Sequence, residues 1–153
     1  MSGFDVEAAL NGLKDLVSTI PSIESCQIGA PESLSNRISA WVVVGDPGEI
    51  GSRVQGVYEL DLSLIVFFAY VVEGQESASE AQLGDYITEL VRRLIKNRAG
   101  AVDGVSRNLN GSVDILGLPQ AAAGPADYAV YAGAEGRTYP VGVRVVQREN
   151  LGV

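Results

Sequence analysis

The stretch from Val57 to Glu73 constrains this chain more than any other. Tyr58, Leu60, Leu62 and Leu64 alternate with Glu59, Asp61 and Ser63. A period of two belongs to a strand with one face in a core and the other in solvent. From Leu64 to Val72 the alternation stops, and both faces become apolar, rich in β-branched and aromatic residues. A strand of that kind needs cover on two sides. The helix that follows is expected to supply one cover and a neighbouring subunit the other.

The pattern on either side of this ribbon predicts an α+β fold. Val6, Ala9, Leu10, Leu13, Leu16, Val17 and Ile20 recur at helical spacing, so a helix is predicted from Asp5 to about Thr19, with Asp5 or Ser2 as its cap and Pro21 as its stop. Gly12 within it costs about 1 kcal/mol relative to alanine. Short strands are predicted at Ser22–Ile28 and Ser39–Val44. The glycines and proline of Gly45–Gly56 read as a long loop before the main ribbon, either a mobile hairpin loop or one ordered by a partner. A second helix opens on Ser77-Ala78-Ser79-Glu80, which has the form of a capping box. Its core stripe is Leu83, Ile87, Leu90, Val91, Leu94 and Ile95, and Gly100 ends it. Ala101–Gly111 reads as a loop and Val113–Leu118 as a strand stopped by Pro119. Pro119–Asp127 reads as an irregular connection, and two closing strands cover Tyr128–Ala134 and Tyr139–Gln147. The order is α-β-β-β-α-β-β-β, with a mostly antiparallel sheet, two main helices and a single domain.

Composition narrows the chemistry. With 153 residues the chain can bury roughly 68–70% of its unfolded surface, enough for one core. A net charge of −8 disfavours gripping nucleic acid through its phosphates. The chain has no histidine, which removes Ser-His-Asp and Cys-His catalysis and every histidine-containing zinc site. Cys26 is the sole cysteine, so no internal disulfide forms, and the thiol reads as a small apolar core residue. The N-terminus lacks the basic and apolar stretches of a signal peptide, and the ribbon is too short to span a bilayer as a helix. No catalytic residue, cofactor or metal is expected. Asn110-Gly111-Ser112 matches a glycosylation sequon by letter and reads as a turn.

Several features invite a chemical reading. Gly45–Ser52 resembles a phosphate loop in its glycines, but it has no lysine, carries two carboxylates and leads into a strand. Glu59 and Asp61 share a strand face about 7 Å apart, where paired carboxylates can serve acid–base chemistry or, more commonly, face solvent. Arg92, Arg93, Lys96 and Arg98 form the one basic cluster of an acidic chain. They either face an acidic partner or complement the helix dipole.

Taken in order, the elements resemble a known family. A helix ending in Ile20-Pro21, a Trp41-Val42-Val43-Val44 strand, a glycine-rich loop and a long apolar strand come first. A serine-capped helix, an Asn110-Gly111-Ser112-Val113-Asp114 strand entry and a terminal strand pair near Arg148 complete the set. This order is similar to that of the tail terminator or tail-completion proteins of long-tailed bacteriophages and gene transfer particles. The resemblance implies a structural virion protein that closes into a hexameric ring at the head-proximal end of the tail. Its partners would be further copies of itself, the tail tube protein and the head-side connector or stopper, and DNA would pass through the lumen unbound. Asp46, Glu49, Arg53 and Gln55 in the glycine-rich loop, with Arg92, Arg93 and Lys96 on the second helix, are the candidate interface residues. Another neck or head-tail joining protein is the alternative within the same class, and two other classes remain open: a small-ligand module with an apolar pocket between second helix and sheet, and a hydrolase using Glu59 and Asp61, which requires a raised carboxylate pKa.

Overall fold

The computed structural model describes residues 2–23, 26–32, 34, 38–71, 76–121, 127–131 and 134–152. The elements in order are α1 (Val6–Ser18), β1 (Cys26–Ile28), β2 (Ser39–Val54), β3 (Val57–Val71), α2 (Glu76–Asn97), α3 (Arg107–Gly111), β4 (Ile115–Ala121), β5 (Asp127–Tyr131) and β6 (Ala134–Asn150). The fold is α+β. One sheet runs β1-β2-β3-β6-β4, with β5 also paired to β6. Every pairing is antiparallel except β1 with β2.

The helix α1 forms where its pattern places it. The Asp5 carboxylate accepts from Ala8 N–H at 3.0 Å, satisfying one of the free donors of the first turn. Thr19 closes the other end through its N–H and its hydroxyl, both donating to Leu16 O. Ala9, Leu13, Leu16 and Val17 are buried along one stripe. They meet Val42, Leu64, Val66 and Phe68 from the sheet and Leu83, Leu90 and Leu94 from α2 in one core. Each of the larger side chains contributes about 1.5–3 kcal/mol by leaving water.

β3 runs through the middle of the sheet, and period two explains its packing. Leu62, Leu64, Val66, Phe68 and Tyr70 are buried towards the helices. Their register partners Val42 and Ala40 on β2, and Val141, Val143 and Val145 on β6, belong to the same core. The intervening residues Ser63, Ile65 and Phe67 point to the opposite face and are only half-buried.

The expected loop at Gly45–Gly56 is not a loop. β2 continues to Val54, and Gln55-Gly56 alone make the turn into β3, with Gly56 at φ +83°. The register shifts between Val44 and Asp46 and between Asp46 and Glu49. The residues that read as turn chemistry are absorbed there as bulges, because the long partner strand holds the chain extended. Pro119 does not stop its strand either. It pairs with Val143 beside a register shift on β4. β4 is an edge strand, where a missing N–H costs no ladder bond. Helix α2 starts at Glu76, ahead of Ser77, so Ser77 is not the cap, and its side chain lies outside the described residues.

The predicted loop at Ala101–Gly111 contains α3, a single left-handed turn. Asn108, Leu109 and Asn110 have φ values of +56°, +54° and +63°. Left-handed backbone costs about 1–2 kcal/mol per residue outside glycine, with asparagine the most tolerant. The turn is held by Asn97, which is 0% exposed. Its Oδ1 accepts from Leu109 N–H at 2.8 Å, and its Nδ2 donates to Val105 O at 3.1 Å and Ser106 O at 3.0 Å. Leu109 is thereby driven against α1. A Cβ on Gly12 would lie 2.5 Å from Leu109 O and 2.7 Å from Leu109 Cβ. The glycine that weakens α1 as a helix is what lets the turn approach it.

Candidate assembly surfaces

Both long helices pack on one face of the sheet, α1 over β1 and β2 and α2 towards β4. The opposite face carries Val43, Ile65, Phe67, Pro140 and Val146, all partly exposed. Trp41 lies on this side, only 2% exposed, with its ring stacked on Phe67 at 5.4 Å between centroids. Among the described residues no helix packs on this face. The apolar second half of β3 therefore has one cover from its own helices and an incomplete one on the other side.

At the Gln55-Gly56 end this face becomes charged. Arg144 binds Asp61 through two nitrogens, its Nε donating to Oδ1 at 2.8 Å, and Arg148 Nε reaches Glu59 at 3.2 Å. The Arg144 guanidinium holds the Asp61 carboxyl below its ordinary pKa, chiefly through the hydrogen bond, with burial opposing it and charge attraction adding a smaller lowering effect. The carboxylate pair that suggested hydrolysis is thus two ion pairs on a sheet face. Asp61 is shifted in the direction opposite to the one a general acid needs.

Beyond Val42, among the described residues, β2 has no strand on its outer side, since β1 pairs only with Ala40–Val42. The β2–β3 arm from Gly45 to Ser63 is a bulged edge. Glu49 lies opposite Asp61, and Ile50 lies opposite Leu60 and is 71% exposed. Gln55 is exposed at the tip. The side chains of Asp46 and Arg53 lie outside the described residues. The arm therefore brings Glu49 and Gln55 to one edge, together with Ile50, which the sequence pattern did not single out.

The basic cluster on α2 divides in two. Arg93 is engaged within the protomer. It is buried, its Nε donates to Thr19 Oγ1 at 2.8 Å, its Nη2 donates to Thr19 O at 3.2 Å, and it pairs with Glu89. It fastens α2 to the end of α1. Arg92 and Lys96 are exposed, with Arg92 also paired to Glu89 at 3.0 Å. Ile95, expected in the core stripe, is 49% exposed between them. Leu94 and Leu90 take the core positions, and Ile95 sits about 100° further round the helix. A polar cleft of about 300 Å³ beside this face is lined by Glu89, Arg92, Arg93, Lys96 and Asp103, with Ala101 and Val102. The interface between α2 and the sheet is filled by Leu83, Leu90, Leu94 and Leu116, each buried, where a ligand module would need an apolar cavity.

A second polar group joins the start of α2 to the sheet. Glu80 pairs with Arg137 and accepts from Tyr70 Oη at 3.1 Å and Tyr139 Oη at 3.3 Å. The Arg137 guanidinium lies 4.8 Å over the Tyr139 ring. Glu80 reads in sequence as the last residue of a capping box, but its partners come from β3 and β6. This cluster ties the first turns of α2 to β3 and β6.

Among the described residues no group of three or more acidic or cysteine side chains is arranged to hold a metal ion, and no helix is long and apolar enough to cross a membrane. No protein-family model and no curated protein matches the chain.

Proposed function

We propose that this protein is a structural component of a long phage-type tail, a tail terminator whose subunits close into a ring at the head-proximal end of the tube. The observation that carries the reading is the sheet covered by helices on one face and left with Ile65, Phe67, Val43 and Pro140 partly exposed on the other. A neighbouring subunit would supply the second cover for the apolar half of β3. Subunits arranged head to tail make a heterologous contact, and such a contact closes into a ring when the rotation between neighbours divides a full turn. Six-fold closure follows from the family resemblance.

In this reading the ring caps the growing tail tube and presents its other face to the head-side connector. The net charge of −8 suits a lumen that DNA traverses without being held, since an acidic wall repels phosphate. Removing Asp46–Gln55 outright is not a clean test of arm function. That segment is the strand partner of Val57–Ser63, and its deletion would strip one of the two neighbouring strands from that half of β3.

The test is assembly. Light scattering and negative-stain microscopy of the purified chain, alone and with a polymerising tail tube protein, should give a closed annulus of six subunits and tubes blocked at one end. A monomer under both conditions, with tube growth unaffected, rejects the reading.

A further inference from the structure

Away from the core, helix α2 has two flanks of different character. One carries Asp85, Glu89, Arg92 and Lys96. The other carries Ala81, Gly84, Thr88, Val91 and Ile95, spaced alternately by three and four residues, with no charge among them. That spacing lines the five residues up along one face of a helix. Among the described residues this face has little cover. Ala81, Gly84 and Thr88 are exposed, Ile95 is 49% exposed, and nothing lies within 4 Å of where a Gly84 Cβ would stand. Tyr86 and Arg93, on the opposite side of the helix, are the residues that reach the end of α1, where they bond Ser22 O and Thr19.

Three properties of α2 name what fits there. Ile95 protrudes towards the C-terminal end of the face, and Gly84 leaves an opening towards the N-terminal end. On the charged flank, Asp85 and Lys96 stand three turns apart, and among the described residues neither has an ion pair or a hydrogen bond. The helix is also a dipole, which favours a neighbour running the other way. A fitting partner therefore offers an opening to Ile95, a protrusion to Gly84, a base to Asp85 and an acid to Lys96. A second α2, reversed end for end, offers all four.

We propose that two copies of this chain pair through α2, with the helices antiparallel about a point between Glu89 and Leu90. Ile95 of each enters the opening at Gly84 of the other, Thr88 lies opposite Val91, and Asp85 lies beside Lys96 of its copy. Arg92, bonded to Glu89 through one nitrogen, adds positive charge on the same stretch. The uncharged line excludes water at the centre, and the charges at its rim set direction and register. Because both copies use the same surface, the contact is isologous and closes as a pair. It is separate from the head-to-tail contact of the ring, which uses the other face of the sheet, and does not rest on it. Ala81 to Ile95 spans about 21 Å, so the contact is small and the pairing weak, rising with concentration.

Two measurements on the full chain test it. In a Cys26→Ala background, Gly84→Cys and Ile95→Cys proteins are prepared separately, mixed and mildly oxidised. A disulfide needs Cα atoms within about 7 Å. In the antiparallel pair, position 84 of one chain meets position 95 of the other, whereas like positions lie about 16 Å apart along the axis. The expected product is therefore the mixed 84–95 disulfide, with little from either protein alone. Sedimentation equilibrium over a concentration series gives the second measurement. Asp85→Lys and Lys96→Glu should each weaken pairing by about tenfold, since like charges then meet at two places. An equimolar mixture of the two variants should recover it, because both charge pairs are restored between unlike chains. Circular dichroism checks that these surface variants remain folded. Disulfides formed mainly between like positions overturn the antiparallel contact, as does pairing that ignores both charge reversals. A chain that stays monomeric at its highest attainable concentration overturns it as well. None of these outcomes touches the ring reading, which is decided by assembly with tail tube protein.

Discussion

Two glycines in helices should respond to alanine with opposite signs. Gly84 lies on the exposed face of α2, and nothing comes within 4 Å of where its Cβ would be. Gly84→Ala is then governed by helix propensity and unfolded-chain entropy, and should stabilise by about 0.5–1 kcal/mol. Gly12 gains the same propensity term, but its new Cβ would lie 2.5 Å from a backbone oxygen and 2.7 Å from Leu109 Cβ. Ordinary contact begins near 3.4 Å, so α1 and α3 must separate by several tenths of an ångström to an ångström. The α3 turn cannot yield freely, because Asn97 grips it at Leu109, Val105 and Ser106. Overpacking of this kind costs about 1–3 kcal/mol, so after the propensity gain of about 1 kcal/mol Gly12→Ala should be destabilising by up to about 2 kcal/mol. Urea unfolding followed by circular dichroism, at one fixed protein concentration, reads both variants. With a slope of about 2 kcal/mol/M, the midpoint for Gly12→Ala should fall by up to about 1 M and that for Gly84→Ala should rise slightly, with unchanged slopes. A Gly12→Ala protein as stable as Gly84→Ala would refute the close approach of α1 to the left-handed turn.

Asn97→Ala should destabilise by about 2–4 kcal/mol, because it leaves a buried N–H and buried carbonyls unsatisfied. Hydrogen exchange at the Leu109 amide should accelerate more than exchange in β3, and equal acceleration everywhere would contradict a local clamp. The Asp61–Arg144 pair should show in acid titration. With its pKa depressed in the folded state, Asp61 contributes stability above the ordinary carboxyl range, and that contribution is lost as pH falls through the lower folded value. Carboxyl-carbon NMR should therefore place the Asp61 midpoint below the ordinary range, and Arg144→Ala should raise it. An unmoved midpoint in Arg144→Ala would remove Arg144 as the cause.

The sequence was most legible where the determinants are local. The alternation of Leu60, Leu62 and Leu64 with Glu59, Asp61 and Ser63 described β3 correctly, since side-chain direction in a strand follows from position alone. Asp5 capped α1 as expected, again through a contact three residues away. The arm was misread because Gly45, Pro47 and Gly48 have the letters of a turn, while what decides their conformation is a partner strand that the local sequence does not display. Arg92 and Arg93 are indistinguishable in sequence, and only the distant Thr19 makes one structural and leaves the other on the surface. Leu94 and Ile95 differ by one position round a helix, too fine a distinction for a stripe drawn without its partner surface. Of the candidate interface, Glu49, Gln55, Arg92 and Lys96 are found exposed, whereas Ile50 gave no signal because exposure is ordinary in a loop and the arm read as one. Asn97 gave none either, since a polar residue in the last turn of a helix carries no mark of burial.

β6 bonds to β3 along its whole length, from Val57 opposite Asn150 to Val71 opposite Gly136, and to β4 and β5 on its other side. Among the described strands it is also the last to be synthesised. Until it arrives, Leu64, Val66 and Phe68 lack the Val143, Val141 and Tyr139 that flank them in the finished sheet. At about 5–20 residues per second, the interval between synthesis of Val71 and of Asn150 is about 4–16 s. For that interval the most apolar strand of the nascent chain has β2 on one side and an open edge on the other, so chaperone holding or rapid burial under α1 and α2 must outrun its aggregation during translation.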